Sequence, residues 1–149
     1  MKRIIEVNIR ITSVIEDIDS TGMTVGDAER TENSAEGFLH LYDGGALLTY
    51  SEESEGGRTD SEIELTENDV RVRRKGAIES ELVFSEGGAH TSIYKIPPYA
   101  FEATVTTKKI RRNLTEDGGR IDLFYVMSIG GADRSARMNV WISKNSSNA

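Results

Sequence analysis

The sequence contains no cysteine. That absence excludes a disulfide framework, a thiolate zinc site and a cysteine nucleophile, and it fits a reducing compartment, for which the cytoplasm is the default expectation. Proline is scarce, occurring only as Pro97-Pro98, and histidine occurs only as His40 and His90. No apolar run approaches the length of a bilayer-crossing helix. The N-terminal stretch Met1-Lys2-Arg3-Ile4-Ile5-Glu6 is broken by charge before a signal-peptide core could form, so it reads as part of the fold. Cations are also in short supply: 18 Lys plus Arg face 25 Asp plus Glu, a net charge of -7. The long-range field therefore repels polyanions, and neither nucleic acid nor an anionic membrane surface is expected as a partner. At 149 residues the chain has the size of a single domain.

What the sequence does contain is short runs of β-branched and aromatic residues cut by glycine. Ile5, Val7, Ile9 and Ile11 alternate with Glu6, Asn8, Arg10 and Thr12, the pattern of a strand with one buried and one wet face. Ile121, Leu123, Tyr125, Met127 and Ile129 repeat it, as do Met138, Val140 and Ile142. A two-residue loop within Asp43-Gly44-Gly45 places Leu39 and Leu41 on one face with Ala46, Leu48 and Tyr50. A three-residue loop Arg74-Lys75-Gly76, with Gly76 left-handed, aligns Val70 and Val72 with Ile78, Ser80, Leu82 and Phe84. Further turns fall at Gly56-Gly57, Asn68-Asp69, Gly87-Gly88, Pro97-Pro98, Gly118-Gly119 and Gly130-Gly131.

This punctuation gives about nine or ten strands with short connections, too many for one flat sheet with protected edges. Short hairpins favour an all-β, antiparallel, up-and-down barrel of about 8 to 10 strands over a Greek-key sandwich, which needs long crossovers. Residues 1–144 are expected to form that single domain, and 145–149 a disordered tail. Residues 16–35 are too polar for core and read as a loop, a short helical turn or a frayed strand.

Several constellations suggest chemistry and then lose it. Asp17-Ile18-Asp19-Ser20-Thr21 has the spacing of a phosphatase carboxylate pair, yet that mechanism needs a parallel sheet with helices, and no helical periodicity is present. His40 and His90 have no third ligand at metal spacing, no Gly-x-Ser-x-Gly elbow exists, and the glycine pairs sit in hairpins rather than before a helix. No catalytic residue, metal or cofactor is assigned, and the chain reads as a non-enzyme. Arg71 and Arg73 should face outward, with Arg71 opposite Glu79. Lys108, Lys109, Arg111 and Arg112 form a basic strip without the interleaved aromatics that stack bases, and read as edge guards. Arg74 stands at the barrel rim, where a guanidinium can clamp a carboxylate or phosphate. Tyr125 and Thr107 share parity with apolar neighbours and should point inward, where their hydroxyls need a partner. Phe124, Val126 and Trp141 fall on the outer parity and would form an exposed apolar patch, a candidate homodimer interface.

The order of segments from Glu36 to Lys144 resembles the YwiB-like family of small bacterial proteins. The features carrying the resemblance are Glu36-Gly37 opening a strand, the Asp43-Gly44-Gly45 hairpin, Arg74-Lys75-Gly76 leading to Leu82-Val83-Phe84, Tyr94 before the Pro97 turn, Thr106-Thr107, and Asp122-Leu123-Phe124-Tyr125. Pro98 and Tyr99 depart from the glycine usual after that proline, and residues 16–35 are longer than usual. The resemblance implies a calycin-like, that is lipocalin-like, barrel in a bacterial cytoplasm; it adds Tyr94 to the candidate residues and implies no activity. The resulting expectation is a barrel binding a small, partly apolar or anionic molecule in or at its mouth, lined by Arg74, Tyr94, Thr107 and Tyr125. The alternative is an interaction or homodimerisation module using an outer face.

Overall fold

Alternation of apolar and polar side chains resolves into ten antiparallel strands in a computed structural model that describes residues 3–145. They are β1 (Arg3–Ile18), β2 (Thr24–Tyr42), β3 (Gly45–Ser54), β4 (Gly57–Leu65), β5 (Asp69–Gly76), β6 (Ser80–Ser85), β7 (Ala89–Ile96), β8 (Tyr99–Thr115), β9 (Gly118–Ile129) and β10 (Ala132–Lys144). There is no helix among the described residues. The sheet order is β6-β5-β4-β3-β2-β1-β10-β9-β8-β7, so the first and last strands pair in its middle and its two ends are strands consecutive in sequence. One isolated bridge among the described residues, Glu79, just before β6, with Lys95 of β7, crosses the gap between β6 and β7. The turn between them docks on β8 instead: Gly87 N–H donates to the Thr107 carbonyl at 2.9 Å, and Thr107 N–H to the Gly88 carbonyl at 3.0 Å. Ile110 N–H reaches the Glu86 carboxylate at 2.8 Å, and Arg112 donates to the Asp69 carbonyl at 3.2 Å. The result is a nearly closed barrel. Arg112, expected to guard an edge, spans the seam.

The inner face is a packed apolar core. Leu39, Val70, Val72, Phe84, Ile121 and Val140 are fully buried, and Leu48, Ile63 and Leu123 almost so. The Asp43-Gly44 loop sets Leu39 opposite Leu48 and Leu41 opposite Ala46, as the sequence indicates. In a meander, alternate turns lie at the same end. The β1–β2, β3–β4, β5–β6, β7–β8 and β9–β10 connections therefore share one rim, here called the upper one.

Three details differ from the sequence reading. Residues 16–35 are mostly strand: β1 and β2 continue as a long hairpin whose turn is tied by Asp19. Its Oδ1 accepts from Thr21 N–H at 2.8 Å, the Thr21 hydroxyl at 2.6 Å and Met23 N–H at 3.1 Å. These bonds, the Thr21 hydroxyl first, hold the Asp19 carboxyl below its ordinary pKa. The suspected phosphatase pair is a turn cap and an ion-pair partner, since Asp17 bonds Arg134 at 2.9 Å.

The second difference lies at Gly76. β5 runs through it, paired to Thr59, and Arg74 stands opposite Ser80, so the connection is five residues rather than three. The shared face of Val70, Val72, Leu82 and Phe84 survives, because both loops have odd length. The outer-face pairing does not: Arg71 meets Val83 rather than Glu79, and it is Arg73 that meets Glu81. Arg73 gathers Glu64 at 2.8 Å, Glu81 at 3.1 Å and Glu62 at 3.7 Å. The third difference is the outer patch. Phe124, Val126 and Trp141 are half-buried, and Trp141 lies between the guanidiniums of Arg10 and Arg120, at 4.6 and 5.2 Å from its ring. Of the expected tail, Asn145 donates its N–H to the Glu6 carbonyl at 2.9 Å, and 146–149 lie outside the described residues.

Candidate anion-binding mouth of the barrel

One row of paired residues crosses the sheet near the upper rim: Gly37 with Tyr50, Tyr50 with Ser61, Ser61 with Arg74, and Arg74 with Ser80. All share the parity of the core residues beside them, so the lumen turns from apolar to polar at this level. Tyr50, Ser61 and Ser80 are buried, at 5%, 1% and 8% exposure, and their hydroxyls have no hydrogen-bond partner among the described residues.

Arg74 is half-buried beside them and makes no ion pair among the described residues. Its charge acts on two tyrosines. Burial pushes the Tyr50 hydroxyl up to about 12, with Arg74 opposing and Glu52 reinforcing that rise. Burial likewise pushes Tyr125 up to about 12, opposed by Arg74 and reinforced by Tyr94. Both therefore remain protonated and can donate a hydrogen bond. Ser61 and Arg74 approach the Tyr50 hydroxyl without reaching hydrogen-bonding geometry.

Beside this row a cleft of about 400 Å³ lies mostly over the outer-face side chains Asp60, Glu62, Arg73, Lys75 and Glu81 and reaches Arg74, Glu79 and Ser80 at the rim. Its carboxylates are largely committed: Asp60 to Arg58 at 3.0 Å and Ser51 at 2.6 Å, Glu62 and Glu81 to Arg73. Below this level side chains fill the tube. The Phe84 and Tyr125 rings meet edge to face at 4.9 Å and 68°.

The four residues singled out from sequence divide. Arg74, Tyr94 and Tyr125 come together, with Tyr94 half-buried against the core. Thr107 pairs with Tyr125 in register and joins the seam through its backbone, and its hydroxyl, on a residue 1% exposed, has no partner among the described residues. Replacing Thr107 with valine, which keeps the shape and removes the unpaired hydroxyl, is expected to stabilise the protein by about 1 kcal/mol. Urea unfolding checks this, and a loss of stability would mean the hydroxyl has a bonded partner in solution. Tyr50, Ser61 and Ser80 were not singled out from sequence. Tyr50 had its inward parity assigned, but only strand register places it next to Arg74. Of the histidines, His40 is half-buried, His90 is exposed, and no three metal-ligating side chains converge among the described residues.

Fold and rim together define a meander β-barrel with a buried apolar core and a polar row, Tyr50, Ser61, Arg74 and Ser80, near its upper rim. The chain belongs to the family described as a domain of unknown function, DUF1934, whose pattern matches residues 9–140. It is similar to the protein called "Uncharacterized beta-barrel protein YwiB" of Bacillus subtilis (strain 168), 30% identical over 130 residues that make up 87% of each chain. The crystal structure of the ywiB protein from Bacillus subtilis superposes with a TM-score of 0.83 at 26% identity, covering 96% of this chain and 94% of that one. Among the described residues no helix is long and apolar enough to cross a membrane.

Proposed function

We propose that this calycin-like barrel is a cytoplasmic, non-catalytic binding protein that takes a small molecule bearing a carboxylate or phosphate at its upper mouth. Arg74 holds the anion; Tyr94 and Tyr125 line its approach, and nucleic acid is not a partner. The observation carrying this reading is a half-buried, inward guanidinium with no carboxylate partner among the described residues, set beside buried hydroxyls that also lack one there. Unmatched buried hydroxyls cost about 1 to 3 kcal/mol each, so they persist where something polar meets them. A planar guanidinium with neighbouring O–H donors suits an oxyanion. The alternative, a homodimer through Phe124, Val126 and Trp141, has less support, because Arg10 and Arg120 cover Trp141.

The test is NMR titration of the wild type and Arg74→Gln with sodium acetate and inorganic phosphate. Arg74→Gln is expected to fold with a Tm close to the wild type, having lost no ion pair, and to bind anions on the order of tenfold more weakly, the worth of a charge-assisted hydrogen bond. Equal binding by the two proteins would remove Arg74 from the site.

A further inference from the structure

The inner face does not end at the polar row. Along β7 and β8, the parity that buries Ala103 and Val105 and packs Tyr94 against the core continues upward to Ile96, Tyr99 and Phe101. Tyr94 pairs with Phe101, and Ile96 with Tyr99, across the Pro97-Pro98 turn. These side chains are apolar and face the concave side, yet they are wet: Ile96 is 45% exposed, Tyr99 65% and Phe101 41%. The Tyr99 and Phe101 rings stack at 6.4 Å and 25° into one flat surface. Continuous apolar surface of this kind, left uncovered, marks a contact site more often than a solvated face.

Its position says what covers it. The strip begins at Tyr94, next to Lys95, whose bridge to Glu79 brings this part of β7 beside Ser80, the register partner of Arg74. A cation without an ion-pair partner among the described residues and an uncovered apolar surface thus adjoin on one side of the mouth. Resting on the anion-site reading above, we infer that the ligand is an amphiphilic anion: a carboxylate or phosphate head at Arg74 joined to an aliphatic or aromatic body that lies on Phe101, Tyr99 and Ile96. The packed tube below, with Phe84 and Tyr125 in contact, leaves the rim as the place for that body. Acetate or phosphate alone engages the head position and leaves the strip bare. A longer chain covers it and gains about fourfold in affinity for each methylene buried.

The experiment compares acetate, octanoate, octyl phosphate and octyltrimethylammonium on the full chain by NMR titration, with wild type, Arg74→Gln and Phe101→Ser. Phe101→Ser removes an exposed ring, and circular dichroism verifies that it folds. Octanoate is expected to bind at least thirtyfold tighter than acetate and octyltrimethylammonium. Phe101→Ser should weaken octanoate by about tenfold and leave acetate unchanged, while Arg74→Gln weakens both. Octanoate and octyl phosphate, compared directly, tell which head group the mouth prefers. Equal affinities for acetate and octanoate, both lost in Arg74→Gln, would overturn the amphiphile and leave the anion site standing. Binding of neither anion would overturn both. Octyltrimethylammonium matching octanoate, or a dimer that Phe101→Ser dissociates, would also overturn it, by giving the strip a different occupant.

Discussion

Replacing Gly119 with alanine is expected to cost about 3 kcal/mol or more, against about 1 kcal/mol for the same change at Gly44. Both glycines have a positive φ, +151° at Gly119 and +84° at Gly44, so conformational strain is common to the two. Their surroundings differ. An alanine Cβ at Gly44 meets nothing within 4 Å, whereas at Gly119 it lies 1.9 Å from the Asn113 carbonyl oxygen and 2.9 Å from the Leu114 Cα. Those atoms are backbone and cannot rotate away. Gly119 is also held from both sides, paired to Leu114 on β8 and Ile142 on β10. Relief therefore means separating β9 from β8 or β10, which disturbs the ladder that carries Ile121 and Leu123 into the core. Urea unfolding of the two variants gives the comparison directly. Similar midpoints would show that β8 or β10 yields at little cost, and that the glycine there serves the turn alone.

Which features could be read in advance follows from where the physics is local. Alternation in Ile5 to Ile11 and in Ile121 to Ile129 reports one wet and one dry face, and the structure buries Ile5, Val7, Ile9, Ile11, Ile121, Leu123 and Tyr125 accordingly. The short turns then force a meander, and ten meandering strands close. Residues 16–35 were illegible for the same reason. Most of that hairpin is wet on both faces, so its strands leave no period of two in the sequence, and their order comes from pairing with β1 and from ion pairs such as Arg134 with Asp17 and Glu29. Loop length at Gly76 was misread because parity constrains only whether a loop is odd or even. Five residues satisfy the core as well as three, while shifting every outer-face partner of Arg71 and Arg73.

The candidate mouth shows the same division. Arg74 and Tyr125 carry signals in their own strands, a cation at a turn and a hydroxyl among apolar residues. Tyr94 came only through family resemblance. Tyr50, Ser61 and Ser80 meet Arg74 because β3, β4, β5 and β6 register them in one row, and no single strand contains that information. The apolar strip on β7 and β8 was likewise hidden, since Tyr99 and Phe101 next to a proline turn read as ordinary strand residues until their exposure on the concave side is known.

Phe84→Ala is expected to be the most destabilising side-chain truncation in the barrel, at about 3 to 5 kcal/mol, lowering Tm by on the order of 10 °C. Phe84 is fully buried, paired with Val70 across β5 and β6, and its ring stands against that of Tyr125. Removing it opens a void between Tyr125 and the β5–β6 ladder, and to the extent that these elements hold their places the cavity penalty adds to the lost transfer energy. The consequence reaches the mouth, because Tyr125 packs against this ring and its hydroxyl lies within the field of the Arg74 charge. Phe84→Ala should therefore weaken anion binding through a displaced Tyr125. Tyr125→Phe separates the two effects: it keeps the ring contact and removes the hydroxyl, so stability should hold or rise slightly while anion affinity falls. Calorimetric unfolding and NMR titration of both variants make the comparison, and a Tyr125→Phe protein that unfolds as readily as Phe84→Ala would mean the hydroxyl is already bonded within the barrel rather than waiting at its mouth.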